Sequence, residues 1–401
     1  MSRTKKNLLI SMRASGIGVS RAYRFLENEA GSRQNVGFIR KDVYNELHRE
    51  SRNVSKINNG DANSLVQYFT EKGMSDPSFY WKLKLSDEGR LEHLFFRDCR
   101  YLIDYQHFGD VVSIDVTYKM NKYDLICVPI IGINHHRTNV MFGMGFLCNE
   151  KTESYEWLFR TFLESMYKKQ PGVIFSDQDM ALMNALDYTF TEASHRLCQW
   201  HINKNAVKHF GKLNHDREFK TLWFRCMKGC ESEEQFEECW RRMIEEHNLS
   251  KNKWFSNMYV LRKRWSTAFT REKFSGGLHA TSRSEVTNRV LKELCSSTSS
   301  LHEFVLGFER MQKNWRTIEL EEDTFCRGIP GMFVQHTRIL VQVGKVCTRK
   351  VFKSFEYEAV QSISVNLTQE PPDLNDEVLE FKVESRSSVT GYRLVKFNQR
   401  S

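Results

Sequence analysis

Between residues 110 and 198 the hydrophobic pattern switches period several times, and this stretch constrains the fold more than any other. Asp110-Val-Val-Ser-Ile-Asp-Val-Thr-Tyr118 alternates, so Val112, Ile114 and Val116 share one face while Ser113, Asp115 and Thr117 share the other. Leu125 to Asn134 and Asn139 to Cys148 are two further apolar runs, separated by the polar turn His135-His136-Arg137-Thr138. Three strands in succession imply an antiparallel meander. There follow an amphipathic helix through Tyr155, Leu158, Phe159, Phe162, Leu163 and Met166, a short strand Val173-Ile-Phe175, a helix from Asp179 to about Phe190, and a short strand near Arg196 to Cys198. The order β-β-β-α-β-α-β predicts a mixed sheet with helices on its faces. Nucleotide-binding βαβ enzymes start differently and need a Gly-rich phosphate loop, and neither GxGxxG nor GxxxxGK[ST] occurs.

The flanks read differently. Residues 1 to about 100 are mostly helical in pattern, with a polar break at Asn58 to Asp61 and an extended stretch from Phe79 to Leu85. After His201 a helical insertion of about seventy residues, spanning roughly 202–275, sorts its charge into blocks. Glu231 to His247 holds seven acids against Arg241 and Arg242, and Lys251 to Phe274 holds seven bases, Lys251, Lys253, Arg262, Lys263, Arg264, Arg271 and Lys273, against Glu272 alone. The basic block is interleaved with Trp254, Phe255, Tyr259, Trp265 and Phe269. The tail after Ser362 is polar, contains Pro371-Pro372 and reads as a linker or disordered end. The longest runs without a polar side chain are nine residues, Leu125 to Ile133 and Val140 to Cys148, far below the ~20 that cross a bilayer. The first residues lack a signal peptide's apolar core and cleavage site, so the chain is expected inside the cell. Its ten cysteines are scattered, unlike a secreted disulfide scaffold.

The predicted sheet matches the fold class of RNase H-like enzymes: α/β, three antiparallel strands, then alternating helix and strand, with a large all-α insertion and helical flanks. In that architecture reactive carboxylates sit in the first strand, after the fourth and on a later helix. Here Asp115, Asp177 and Glu285 stand at those places, with Asp179 as fallback for the second. Such clustering holds the two divalent ions that phosphoryl transfer on DNA requires, and carboxylates are the hard ligands Mg²⁺ or Mn²⁺ prefer. Each acid also has a plainer reading. Asp177 or Asp179 caps the next helix, and Ser282-Arg-Ser-Glu285 is a capping box. Asp115 resists one, because an unpaired carboxylate in an apolar strand is costly.

Asp115-Val-Thr-Tyr118, Ser176-Asp-Gln-Asp179, Cys198-Gln-Trp-His201 and Ser282-Arg-Ser-Glu-Val-Thr-Asn288 resemble the successive motifs of Mutator-like (MULE) transposases. More closely, the chain resembles the plant far-red-impaired-response related proteins, transcription factors descended from such transposases. Val36-Gly-Phe38, Gly60-Asp-Ala62, Asp76-Pro77 and Phe108-Gly-Asp110 look like that family's segment ahead of the transposase-type domain. The resemblance implies a helical N-terminal segment at 1–100, an RNase H-like MULE domain at 101–330 and a C-terminal extension at 331–401. It also implies that Asp115, Asp177 and Glu285 are the DDE-type acids, that Mg²⁺ or Mn²⁺ serves an active form, and that the protein is nuclear. Cys198 and His201 match the family's Cys-x2-His element, and a zinc site built on them would draw on Cys226 and Cys230.

Two zinc modules usual in the family, one N-terminal and one of SWIM type after the transposase-like domain, cannot be assembled. The first cysteine is Cys99, and only Cys347 follows Cys326. A shortened member or a fragment is therefore expected. Three roles remain open: a transposase-derived regulator of transcription, an active DDE transposase, and a partner that forms homo- or hetero-oligomers with full-length relatives. DNA is the expected ligand and no membrane is expected. The basic block either contacts phosphates or is a solvated face that pairs with the acidic block before it.

Overall fold

The structure, a computed structural model, describes residues 3–14, 19–43, 61–117, 121–276, 287, 289–291, 299–328, 330–332, 337–363, 366–369, 378–384 and 392–398. The chain divides into two compact units, Met1–Asn134 with Asn139–Arg316, and His135–Thr138 with Thr317–Ser401.

In the first unit, helices α1 (Arg3–Ala14) and α2 (Val19–Glu29) enclose a small core of Leu9, Tyr23, Leu26, Val36 and Val43. Helix α3 (Asp61–Ser75) leads to a hairpin, β1 (Tyr80–Leu85) and β2 (Leu91–Arg97), and then to α4 (Cys99–Phe108). Next come β3 (Val111–Ile114), β4 (Ile126–Ile133), β5 (Asn139–Leu147), α5 (Thr152–Ser165), β6 (Val173–Ser176), α6 (Met180–Thr189) and β7 (Ser194–Leu197). The element order read between residues 110 and 198 is present. The strands form one seven-stranded mixed sheet ordered β1-β2-β5-β4-β3-β6-β7. Pairing is antiparallel from β1 to β3 and parallel across β3, β6 and β7.

The hairpin corrects the reading of residues 1 to about 100 as mostly helical, because β2 pairs with β5 and makes Phe79 to Arg97 part of the sheet. Both faces of that sheet are buried, so Phe95 packs on one side and Leu94 and Phe96 on the other. On the first face, Tyr155, Leu158, Phe159 and Phe162 recur at helical spacing along α5 and are fully buried. Gly145 permits this approach, since a Cβ there would lie 2.5 Å from a Leu158 methyl. On the second face, Phe304, Val305 and Phe308 of α12 (Leu301–Phe325) pack with Phe69 of α3.

The helices that follow β7 have their own core. Helices α7 (Gln199–Phe210), α8 (Arg217–Phe224), α9 (Glu233–Glu246), α10 (Lys253–Val260) and α11 (Arg262–Trp265) surround Phe219, Trp223, Phe236, Trp240, Phe255 and Trp265. Trp265 is 2% exposed, donates from Nε1 to the Met258 carbonyl at 2.8 Å and stacks on Trp223.

In the second unit, α13 (Arg338–Val346) and α14 (Arg349–Ile363) precede β8 (Asn366–Gln369), β9 (Val378–Glu384) and β10 (Tyr392–Asn398). These three strands pair antiparallel with β9 in the middle, Phe381 standing across from Val395. Within the described part of the tail, Leu379, Phe381 and Val383 alternate with charged residues in the way a strand requires. Among the described residues, no helix is long and apolar enough to cross a membrane.

Candidate functional site

Parallel register brings two of the predicted acids together. Ser113 of β3 pairs with Phe175 of β6 in the last rung of their ladder, and Asp115 and Asp177 each follow two residues on, at the same ends of the two strands. Ser176 stands beside Leu197 of β7, which sets Cys198 next in the row. Neighbouring strands are ~4.8 Å apart, and residues on one rung point to the same face. Asp115, Asp177 and Cys198 therefore all lie just past the carboxyl ends of three neighbouring strands.

Asp115 is 5% exposed and lies one residue past the end of β3, rather than inside a continuous strand. Its opposite number explains why. Ile114 pairs with Ile130 and Thr117 with Cys127, so Asp115 faces Pro129 of β4. Thr117 and Cys127 exchange both backbone hydrogen bonds, and an antiparallel ladder repeats that pattern two residues away. Pro129 has no N–H to give, so one of the two bonds at the Asp115 rung cannot form. The ladder opens there and closes again at Thr117.

Asp177 follows β6, and its Oδ1 is buried without a hydrogen-bond partner. Burial, and next the nearby Asp179 charge, push its carboxyl up to about 6. Asp179 instead caps α6, accepting from the Leu182 amide at 2.8 Å, which is its plainer reading. Cys198 likewise caps α7, its Sγ accepting from the His201 amide at 3.5 Å. That first helical turn carries His201 back toward the acids, where its Nε2 is 3.9 Å from Asp115 Oδ1. Burial, then Lys204, lower the His201 imidazole to about 4, so it stands neutral beside the carboxylate at pH 7.

A hydrogen-bonded relay that the sequence reading missed buttresses this edge. Arg264 makes two bonds to Asp187, at 2.9 and 2.8 Å, and reaches His195 Nδ1 at 2.7 Å. His195 Nε2 is 2.7 Å from Ser176 Oγ, and that hydroxyl donates to the Asp177 carbonyl at 2.9 Å. Ser176, His195 and Asp187 have the residue types of a hydrolytic triad but not its wiring. A guanidinium only donates, so the 2.7 Å contact makes Nδ1 an acceptor and outranks its 3.4 Å approach to Asp187. The imidazole proton then points at Ser176 and takes none from it. The relay fixes the backbone of Asp177 instead of activating a nucleophile.

Glu285 lies outside the described residues. Two positions on, Thr287 is fully buried and accepts from Asn139 at the start of β5 at 3.0 Å. For Mg²⁺ or Mn²⁺ the residues fit on chemistry: two carboxylates share one edge, and the buried, unpartnered Asp177 oxygen is what a cation would satisfy. The four residues considered for zinc do not converge. Cys226 and Cys230 lie in the core of the insertion with Cys239, and contact with Cys239 together with burial pushes both thiols well up. Among the described residues, the one group of three whose ligand atoms all lie within 4.8 Å is His135, His136 and Asp323.

The basic block separates into two kinds of residue. Arg262 pairs with Glu237 at 2.8 Å, Arg264 with Asp187, and Arg271 donates to the Cys230 carbonyl at 3.2 Å. Lys251, Lys253, Lys263 and Lys273 are exposed. Phe255 and Trp265, read as interleaved aromatics, belong to the core and offer no stacking surface.

Comparison with known proteins agrees with these motifs. The MULE transposase domain family matches residues 111–205, the span that holds Asp115, Asp177, Cys198 and His201. Protein FAR1-RELATED SEQUENCE 5 from Arabidopsis thaliana is 28% identical over 402 residues, covering 99% of this chain and 50% of the relative. Protein FAR-RED IMPAIRED RESPONSE 1 from the same plant is 25% identical over 92% of this chain and 45% of its own length. Protein FAR1-RELATED SEQUENCE 4 is 27% identical over 78% and 43%. The resemblance read from the motifs is thus shown, and the chain spans about half the length of the curated relatives it matches.

Proposed function

We propose that this chain is a transposase-derived nuclear regulator of transcription, in which an RNase H-like sheet serves as a scaffold for contacts with DNA or protein. The observation that carries this reading is the extent of the similarity. It runs through 99% of the chain, well beyond the matched domain at residues 111–205. The leading segment and the helices outside the sheet are therefore shared with the plant relatives as well. The name of FAR-RED IMPAIRED RESPONSE 1 points to light-controlled development as the setting. Exposed lysines of the insertion, Lys251, Lys253 and Lys263, supply sequence-blind phosphate contacts. Chromatin-occupancy mapping of the tagged chain in plant cells tests the proposal: enrichment at promoters supports it, and a protein excluded from nuclei and from chromatin ends it.

A second reading, an active DDE transposase, is favoured by the placement of Asp115 and Asp177 past the same ends of neighbouring parallel strands. In it these two acids and Glu285 would hold Mg²⁺ or Mn²⁺, which supplies activation of the attacking oxygen and stabilisation of the leaving one. The chain's own part is to hold Asp177 through the Ser176 relay and to keep His201 neutral next to Asp115. A strand-transfer assay with Mn²⁺ separates the readings. Activity lost in Asp115→Asn supports the enzyme, and equal, null activity in both proteins removes it.

A further inference from the structure

The turn between β4 and β5 carries His135 and His136, and with Thr317–Ser401 it forms the second compact unit. Consecutive side chains on an extended segment point to opposite sides. Here the turn, with Arg137 at φ 56°, folds both rings to one side, their centroids 4.1 Å apart. A left-handed arginine is strained by ~1 kcal/mol or more, so the surrounding unit holds the turn in place. Thr348 does so directly, donating to the His135 carbonyl at 2.7 Å, and Arg137 reaches Ser354 Oγ at 3.4 Å.

Both rings direct Nε2 at a single oxygen, Oδ1 of Asp323 on α12, at 3.0 Å from His135 and 2.7 Å from His136. All three ligand atoms lie within 4.8 Å of one another. The His136 side chain is 1% exposed while those of His135 and Asp323 are 42% and 48% exposed, so the cluster has a buried floor and a side open to solvent. Its hydrogen bonds to His135, then His136, hold the Asp323 carboxyl below the usual range, so the anion is present at neutral pH.

We propose that His135, His136 and Asp323 bind one divalent transition-metal ion, with Zn²⁺ the best match, and that water completes the coordination on the open side. Two imidazole nitrogens and one carboxylate oxygen form a borderline donor set suited to zinc and poorly suited to magnesium. Ligand atoms at ~2.0–2.1 Å from a tetrahedral ion stand about 3.3 Å apart, a few tenths of an ångström beyond the two His–Asp spacings of 3.0 and 2.7 Å. The ion would fasten the β4–β5 turn to α12, joining segments far apart in sequence. This site shares no residue with Asp115, Asp177 or His201 and stands independently of the regulator reading.

The test uses the full chain after chelation and dialysis, with Zn²⁺ and Co²⁺ as probes. Calorimetric titration is expected to show one equivalent of Zn²⁺ bound and a raised melting temperature. His135→Ala and Asp323→Ala change exposed side chains, so both are expected to fold, and each should weaken binding at least about tenfold. Asp87→Asn, an exposed turn acid outside both clusters, serves as the control that leaves binding unchanged. Co²⁺ should give visible d–d bands without a thiolate charge-transfer band. No uptake by the native chain, unchanged affinity in the two variants, or a thiolate band would overturn the proposal.

Discussion

Asp177→Asn should stabilise the protein at neutral pH. The ordinary Asp value of 3.8 is pushed up to about 6 at this position, and each unit corresponds to ~1.4 kcal/mol. Keeping this carboxylate charged in the folded chain therefore costs about 3 kcal/mol above pH 6. The folded state holds the proton more tightly than the unfolded chain does. That contribution to stability is complete below about pH 4 and is lost as the pH rises through about 6. Asparagine is neutral throughout and escapes the loss. Thermal melts of the native chain and Asp177→Asn at pH 4 and pH 7.5, without divalent ions, should differ little at the lower pH. At the higher pH the variant should melt on the order of 5 °C higher. Mn²⁺ at pH 7.5 should raise the native midpoint and leave the variant's alone if Asp177 is a ligand. A variant that melts lower at pH 7.5, or by an equal margin at both values, would refute the claim that burial and Asp179 keep this group costly to ionise.

Non-specific DNA affinity followed by anisotropy against salt should separate the two kinds of basic residue. Joint replacement of Lys251, Lys253 and Lys263 by alanine should reduce the log–log slope by up to ~3, whereas Arg264→Ala, already committed to Asp187 and His195, should leave it unchanged. Gly145→Val would drive a side chain into Leu158 and should cost at least ~1–3 kcal/mol, visible as a lower urea midpoint. Trp265→Ala empties the centre of the insertion, and ~3–5 kcal/mol of lost stability should appear in the same assay, with near-UV circular dichroism changing first where Trp223 loses its neighbour.

The central strands and their helices were legible because their patterns are long and clean. Val112, Ile114 and Val116 keep strict alternation, and Tyr155 to Met166 keep helical spacing. β2 was hidden because Leu94, Phe95 and Phe96 are all buried in a sheet covered on both sides, which erases the period of two. The strands of the tail do alternate, but Pro371-Pro372 and a polar average obscured them. At the site, Asp115 and Asp177 were legible as acids at predicted strand ends, while their adjacency depended on a parallel register that no local pattern encodes. His195 and Arg264 were invisible for the same reason: one sits in a four-residue strand, the other in the insertion. His135 and His136 read as solvated turn residues because their partner, Asp323, is reached only through the fold. Pro129 is the one local signal of the opening at Asp115, since a proline in the middle of an apolar run argues against unbroken pairing.

That proline separates two properties of the strand edge that usually travel together. Asp115→Asn would remove the charge and leave the opening in the ladder, because the opening is written on β4. Pro129→Val would restore an amide and let the rung close, leaving the charge in a more regular pleat. Chemistry and shape at this position thus have independent genetic handles on different strands. A protein that had given up catalysis but kept a surface for binding would be hurt by the second change and indifferent to the first, and one that still cut DNA would be hurt by both.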